Sequence, residues 1–210
     1  MSAGMGEGDT RLNYIDVDLR KANWISLDLG SRIHTEYPIT PGRIEGHGRR
    51  GAPLRADYVL EYKNRKLAVV EAKKYDLHIS EGVQQAKDYA ERLDVRFTYS
   101  TNGQGFYEID MATGIEREIE RDEFPTPEEL WERTFDKPDE LRDSFATIPF
   151  EDRGGTWSPR YYQDNAIERA LQAISDGKDR ILLTLATGTG KTSIGFQISW
   201  KLFMIIWLTI

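Results

Sequence analysis

The stretch RADYVLEY-KNR-KLAVVEAK, Arg55 to Lys73, decides the fold. Arg55 to Tyr62 and Lys66 to Lys73 are strand-length runs rich in branched and aromatic residues, and Lys63-Asn64-Arg65 between them predicts a β-hairpin. If the hairpin is centred on Asn64, Asp57 lies opposite Glu71, and Arg55 opposite Lys73. Directly opposed residues have Cβ atoms roughly 4.5 to 5.5 Å apart, and two like charges there destabilise the pair unless a cation sits between them. Glu71 and Lys73 share a face by the two-residue strand period, while Val70 and Ala72 point the other way, into the core. A divalent ion between Asp57 and Glu71 resolves the repulsion. A hard cation such as Mg2+ can activate a water and neutralise a phosphate, which is the chemistry of phosphodiester hydrolysis. Lys73 is placed to orient or deprotonate the attacking water, or to stabilise developing charge. The spacing alone leaves a salt-bridged, solvent-facing hairpin open as the alternative, because Glu-x-Lys arises by chance in a chain with 30% charged residues.

Downstream, Gly82 to Leu93 (GVQQAKDYAERL) has helical period, with Val83, Ala86, Ala90 and Leu93 on one stripe and Gln85 and Tyr89 four apart beside it. Val95 to Ser100 reads as a strand, and Phe106 to Ile109 with Ile115 to Ile119 as a last hairpin. Upstream, Tyr14 to Trp24 predicts an amphipathic helix that buries Ile15, Leu19 and Ala22 and leaves Asp16 and Asp18 on its solvated face, the alternative being that they bring an acidic group near the metal. Before it, MSAGMGEGDTR has no basic segment followed by an apolar one, so it reads as a flexible tail rather than a secretion signal. Pro38 to Pro53 is a Gly-, Pro- and Arg-rich loop, in which Arg43, Arg49 and Arg50 are candidate phosphate contacts. His34, His47 and His78 are too scattered for metal-ligand spacing, and Trp24, Trp131 and Trp157 are expected to serve packing.

At the far end, ILLTLATGTGKT, Ile181 to Thr192, combines an apolar strand, a glycine loop and a Lys-Thr that opens a helix. Amides at such a helix start cradle phosphates; Thr187, Gly188, Thr189 and Gly190 would line the loop, Lys191 would reach the terminal phosphates, and Thr192 would help to hold Mg2+. Leu185 stands where the strict pattern has Gly. Pro159 to Ile174 is helical in pattern, whereas Asp122 to Pro159 is acidic and proline-punctuated and reads as a linker with short helices.

The chain has 210 residues, no cysteine and a net charge of −7. It can bury one core and begin a second, has no thiol chemistry, and suits a reducing cytoplasm. A net negative charge argues against unaided tight binding to a polyanion, yet the charge is uneven. Arg43 to Lys74 carries nine basic and four acidic residues, whereas Glu108 to Asp152 carries five and sixteen, so the basic third is where DNA is expected. The apolar run Leu202 to Ile210 is far shorter than the roughly 20 residues that span a bilayer, so no membrane anchor is expected.

Asp57, Glu71-Ala72-Lys73 and Gln85-x-x-x-Tyr89 together resemble the PD-(D/E)xK nuclease superfamily in its RecB-like branch. The surrounding text, TRLNYIDVDLRKANW, ADYVLEY, VVEAKKYD, GVQQAKDYAERL and TNG (101–103), is similar to the amino-terminal region of the R subunit of type I restriction-modification enzymes over about residues 10 to 120. That resemblance implies an α/β, restriction-endonuclease-like αβββαβ core with a central mixed sheet. It makes Asp57, Glu71 and Lys73 the Mg2+-dependent cleavage site, with Gln85 and Tyr89 supporting the site and DNA engagement. One departure is Ala56, where such motifs have Pro. Ala-Thr-Gly-Thr-Gly-Lys-Thr resembles motif I of superfamily 2 helicases, and Arg160-Tyr161-Tyr162-Gln163 resembles their Q motif, with Gln163 the expected adenine contact. The expected layout is a nuclease domain over 1–120, an acidic linker over 121–158, and over 159–210 the first helix, strand, P-loop and helix of a RecA-like ATP-binding domain. Residues 205–210 are expected inside a larger sheet, so the chain reads as truncated, with little ATP hydrolysis by itself. The implied partners are double-stranded DNA and the modification and specificity subunits. The alternative is a non-catalytic DNA-binding or assembly fragment.

Overall fold

In the computed structural model, which describes residues 6–26, 30–40 and 53–209, Lys63 and Asn64 take left-handed φ angles of 50° and 56°. Two successive left-handed residues make a two-residue hairpin turn whose twist matches that of its strands. Strands β2 (Leu54–Tyr62) and β3 (Arg65–Ala72) therefore pair Tyr62 with Arg65 instead of closing three residues around Asn64. That pairing, continued, would set Asp57 against Val70 instead of Glu71 and put the side chains of the two strands one residue out of step. A bulge prevents it: Glu61 pairs with Lys66 but Leu60 with Ala68, so Leu67 is the extra residue, and Val59↔Val69 and Tyr58↔Val70 follow. One further step in this register sets Asp57 against Glu71. Arg55, expected opposite Lys73, pairs on its other side with Pro38, and Lys73 lies just past the end of β3.

The sheet has the order β1-β2-β3-β4-β5-β6. Its edge strand β1 (Ser31–Thr40) was not foreseen, and Pro38, expected to open a loop, lies within it. An edge strand tolerates proline because one side of its backbone needs no partner. Strands β3 and β4 (Phe97–Thr101) run parallel, and α3 (Val83–Leu93) is the crossover that parallel neighbours require. Strands β5 (Phe106–Asp110) and β6 (Glu116–Ile119) complete the sheet antiparallel. Strand β3 runs between antiparallel β2 and parallel β4, and its residues from Leu67 to Ala72 are buried on both faces. The end of β3 is thus a desolvated place for a carboxylate.

The amino-terminal helix begins earlier than expected, at Glu7, in the stretch read as a tail: α1 (Glu7–Thr10) passes through a π-helical turn (Arg11–Ile15) into α2 (Asp16–Lys21). Ile15 and Leu19 are fully buried as expected, but Asp18 is buried too, held by Arg121 through bonds of 2.7 and 2.9 Å. Trp24 Nε1 donates to the Pro125 carbonyl, and α4 (Pro127–Thr134), started by the Thr126/Glu129 capping box and Pro127, buries Leu130 and Trp131. These contacts explain why the compact unit runs to Asp136, past residue 120. The acidic stretch is shared between units rather than standing between them.

The second unit, Lys137–Ile210, packs α5 (Glu140–Thr147), α6 (Tyr161–Ser175) and α7 (Lys191–Thr209) around Phe145, Ile167, Leu171 and Ile194. The strand expected over 181–185 is absent, and Leu182 is 89% exposed. A strand needs neighbours to satisfy its amides and carbonyls, and the described residues of this unit supply none. Residues 205–209, expected in a sheet, continue helix α7 instead. Among the described residues no helix is long and apolar enough to cross a membrane.

Candidate functional site

The amide of Ala72 donates to Asp57 Oδ2 at 2.8 Å, which pins the carboxylate of β2 against the end of β3. On either side of Ala72 stand Glu71, 2% exposed, and Lys73, whose ammonium donates to Glu71 Oε1 at 2.9 Å. Glu71 Oε2 is buried and has no hydrogen-bond partner. Burial, and then the charge of Asp57, push the Glu71 carboxyl up to about 7 against the opposing pull of Lys73. Asp57 is raised as well, chiefly by burial, while the Ala72 amide, Arg11 and Lys73 pull it down.

A buried and a half-buried carboxylate that repel each other, and an oxygen without a donor, are what a cation would satisfy together. Among the described residues no group of three or more His, Cys, Asp or Glu converges as a ligand set. Asp57 and Glu71 are the residues that could hold a hard cation, which takes carboxylate oxygens together with water or phosphate oxygens.

Helix α3 steadies the ammonium. Lys73 Nζ donates to Gln85 Oε1 at 3.1 Å, and Gln85 Nε2 donates to the Tyr89 hydroxyl at 2.9 Å, so the two residues expected on one helical face form a chain ending on Lys73. The helix comes this close because its N-cap is Gly82, whose amide donates to Ser100 Oγ at 3.1 Å. A Cβ there would lie 2.7 Å from Ser100 Oγ and 3.0 Å from both Glu71 Cγ and Lys73 Cε.

Two contributors, Arg11 and Glu7, were missed. Arg11 Nη1 lies 3.6 Å from Asp57 Oδ1, Nη2 donates to the Asp57 carbonyl at 3.4 Å, Nε donates to the Tyr58 hydroxyl at 3.2 Å, and the same guanidinium pairs with Glu36. Glu7 adds a weaker like charge that raises Glu71. Asp16 reaches the site at one remove, accepting from the Tyr58 hydroxyl at 2.8 Å. The signal lay in the run from Glu7 to Arg11, but with glycines before it and one apolar residue, Leu12, after it, no periodicity marked a helix there. Arg43, Arg49, Arg50 and His47 lie outside the described residues. His34 bonds Glu61 and His78 bonds Ser80.

In the second unit Gly188 and Gly190 take φ of 78° and 81°, Thr189 Oγ1 donates to the Ala186 carbonyl at 2.7 Å, and α7 opens at Lys191. Thr187, Gly188, Lys191 and Thr192 are exposed. Gln163 accepts from the Arg160 amide at 2.9 Å and donates to the Thr189 carbonyl at 2.9 Å, so it ties α6 to the loop. A Cβ at Gly190 would lie 2.5 Å from Gln163 Nε2. The loop thus turns at two left-handed glycines immediately before a helix start.

Residues 156–206, which hold this loop and Gln163, match the family described as type III restriction enzyme, res subunit. Over 96% of its length the chain is 36% identical to the endonuclease subunit of the type I restriction enzyme EcoAI from Escherichia coli, and over 94% it is 28% identical to that of EcoKI from Escherichia coli strain K12. A solved fragment assigned to an HsdR subunit of a type I restriction enzyme from Vibrio vulnificus YJ016 superposes with a TM-score of 0.82 at 41% identity over 95% of this chain. The chain spans 26%, 21% and 38% of the lengths of these three relatives. Sequence and fold match over 95–96% of the chain, which is accordingly homologous to a part of the endonuclease subunits of type I restriction enzymes.

Proposed function

We propose that residues 1–136 form a Mg2+-dependent endonuclease module that hydrolyses phosphodiester bonds of double-stranded DNA, and that residues 137–210 carry the phosphate loop of a helicase-type motor. In the complete enzyme, with modification and specificity subunits, cleavage would be coupled to ATP-driven translocation. The observation that carries the reading is buried Glu71 facing and repelling half-buried Asp57, with Glu71 Oε2 unpartnered and the Lys73 ammonium 2.9 Å from Oε1.

Asp57 and Glu71 would hold the ion, which supplies charge neutralisation at a phosphate and acidifies a bound water. Ala72 fixes Asp57 through its amide, and Gln85 with Tyr89 keeps Lys73 on the same side as Glu71. From there the ammonium can position the nucleophile or meet the charge that develops on the phosphate. In the second unit Lys191 and Thr192 would bind the phosphates of ATP with its Mg2+, with Gln163 at the adenine end. Because segment 181–185 is unpaired, we expect this loop to hold nucleotide with little turnover in this chain alone.

Supercoiled plasmid incubated with the chain, alone and joined to its modification and specificity subunits, tests the reading. Nicking should need Mg2+ or Mn2+ and fall at least a hundredfold in Glu71→Ala and Asp57→Asn, an order of magnitude expected for loss of an ion's ligand. Metal-dependent nicking that survives Glu71→Ala removes the nuclease assignment.

A further inference from the structure

Three carboxylates lie in a row across three strands. In the β1–β2 register Thr35 faces Tyr58 and Tyr37 faces Ala56, which sets Glu36 against Asp57, and Asp57 in turn stands against Glu71. Glu36 takes a left-handed φ of 51°, an uncommon conformation for a non-glycine residue inside a strand. Such local strain persists where the surroundings hold it, and here it accompanies the ion pair with Arg11. The guanidinium thus sits between the first two carboxylates of the row, as an ion would sit between the second two. Its Nε donates to the Tyr58 hydroxyl and its Nη2 to the Asp57 carbonyl, and its side chain is 18% exposed.

Asp57 itself is not moored by Arg11. Its Oδ2 is fixed by the Ala72 amide at 2.8 Å, whereas Arg11 faces Oδ1 at 3.6 Å, an ion-pair distance too long for a hydrogen bond. Oδ1 is therefore the oxygen left to a metal, and Arg11 is the cation already facing it.

Resting on the reading of Asp57 and Glu71 as metal ligands, we propose that Arg11 is a built-in counter-cation that competes with the divalent ion for Asp57 Oδ1, and that Glu36 tunes this competition by holding the guanidinium on the far side. A positive charge one carboxylate away from a bound dication weakens it, and Glu36 screens that charge. Removing Arg11 then tightens metal binding, and removing the charge of Glu36 loosens it. A purely structural role would weaken binding in both variants.

Calorimetric titration of the full chain with Mn2+ tests this, with thermal melting to confirm that each variant is folded. Arg11→Gln should bind about tenfold more tightly than the parent, Glu36→Gln several-fold more weakly, and Arg11→Lys close to the parent, the scale being that of one unit charge near a dication. If Arg11→Gln does not fold, the double variant Arg11→Gln/Glu36→Gln, which leaves neither partner unpaired, takes its place: binding tighter than the parent's supports the counter-cation role, and equal or weaker binding overturns it. Unchanged or weaker binding in folded Arg11→Gln, or unchanged or tighter binding in Glu36→Gln, overturns the counter-cation role. The control is Glu71→Ala: if it binds Mn2+ as the parent does, the metal-site reading has failed and this inference falls with it. If Glu71→Ala abolishes binding while the Arg11 and Glu36 variants behave alike, only the counter-cation role has failed.

Discussion

Glu71→Gln removes a charge that the fold holds in a place hostile to it. The folded carboxyl titrates at about 7 instead of the ordinary 4.5, because the residue is buried and faces Asp57. A raised carboxyl pKa means that the folded state binds the proton more tightly than the unfolded chain does. The stability this contributes is complete below about pH 4.5 and is lost as pH rises through about 7. At 1.36 kcal/mol per decade the loss by pH 8.5 is at most about 3 kcal/mol. The glutamine variant never had this term to lose, and its amide oxygen can still accept from Lys73. In a unit ending at Asp136, each kcal/mol corresponds to about 3 °C, so without metal the variant should melt up to about 10 °C higher at pH 8.5, and the gap should close towards pH 5. Mg2+ works in the opposite sense. A ligand at a hundred times its Kd stabilises by about 2.7 kcal/mol, so saturating Mg2+ at pH 8.5 should raise the parent, leave the variant in place and nearly erase the gap. Differential scanning calorimetry of both proteins from pH 5 to 8.5, in chelator and in Mg2+, reads these shifts. A gap that is absent at pH 8.5, or that does not change with pH, refutes the coupling of Asp57 and Glu71 from which the site is built.

Gly82→Ala should leave the sheet intact but displace Glu71 and Lys73, so nicking should drop at least tenfold with a melting change of a few degrees; normal activity would show that the helix can yield there. Asp18→Ala strands Arg121 and should destabilise the first unit by about 2 kcal/mol in urea unfolding, since Arg121 keeps some access to water. Lys191→Ala should abolish calorimetric binding of a non-hydrolysable ATP analogue without altering metal-dependent nicking by the isolated chain. Rapid ATP turnover by that chain would contradict the expectation that an unpaired 181–185 segment leaves the loop poorly anchored.

Much of the site could be read from order and period alone. The alternation in VLEY and LAVVEA, and the four-residue spacing of Gln85 and Tyr89, are local properties of strand and helix, so Asp57 could be set beside Glu71, and Gln85 beside Tyr89, before any coordinates, while the grouping of these four with Lys73 came from the family resemblance. The agreement at Asp57 and Glu71 nevertheless came by a route the spacing did not foresee, since a two-residue turn and a bulge at Leu67 together produce the parity that a turn centred on Asn64 would have had. Helix α7 shows the opposite case: an apolar run at the chain end suits strand and helix alike, and its neighbours decided.

What the linear order of residues determined was the set of elements with strong period and the chemistry they carry: a carboxylate strand pair, a crossover helix that faces it, and a glycine loop before Lys191. Only the tertiary structure decided that Glu71 is buried beside Asp57 with an oxygen left over, that Arg11 and Glu36 join them from elements remote in sequence, and that Asp18 is an anchor for Arg121 instead of a wet surface. Periodicity reports which face a side chain takes on its own element. Desolvation and charge coupling depend on what other elements bring to that face, and those distances do not exist until the chain has folded.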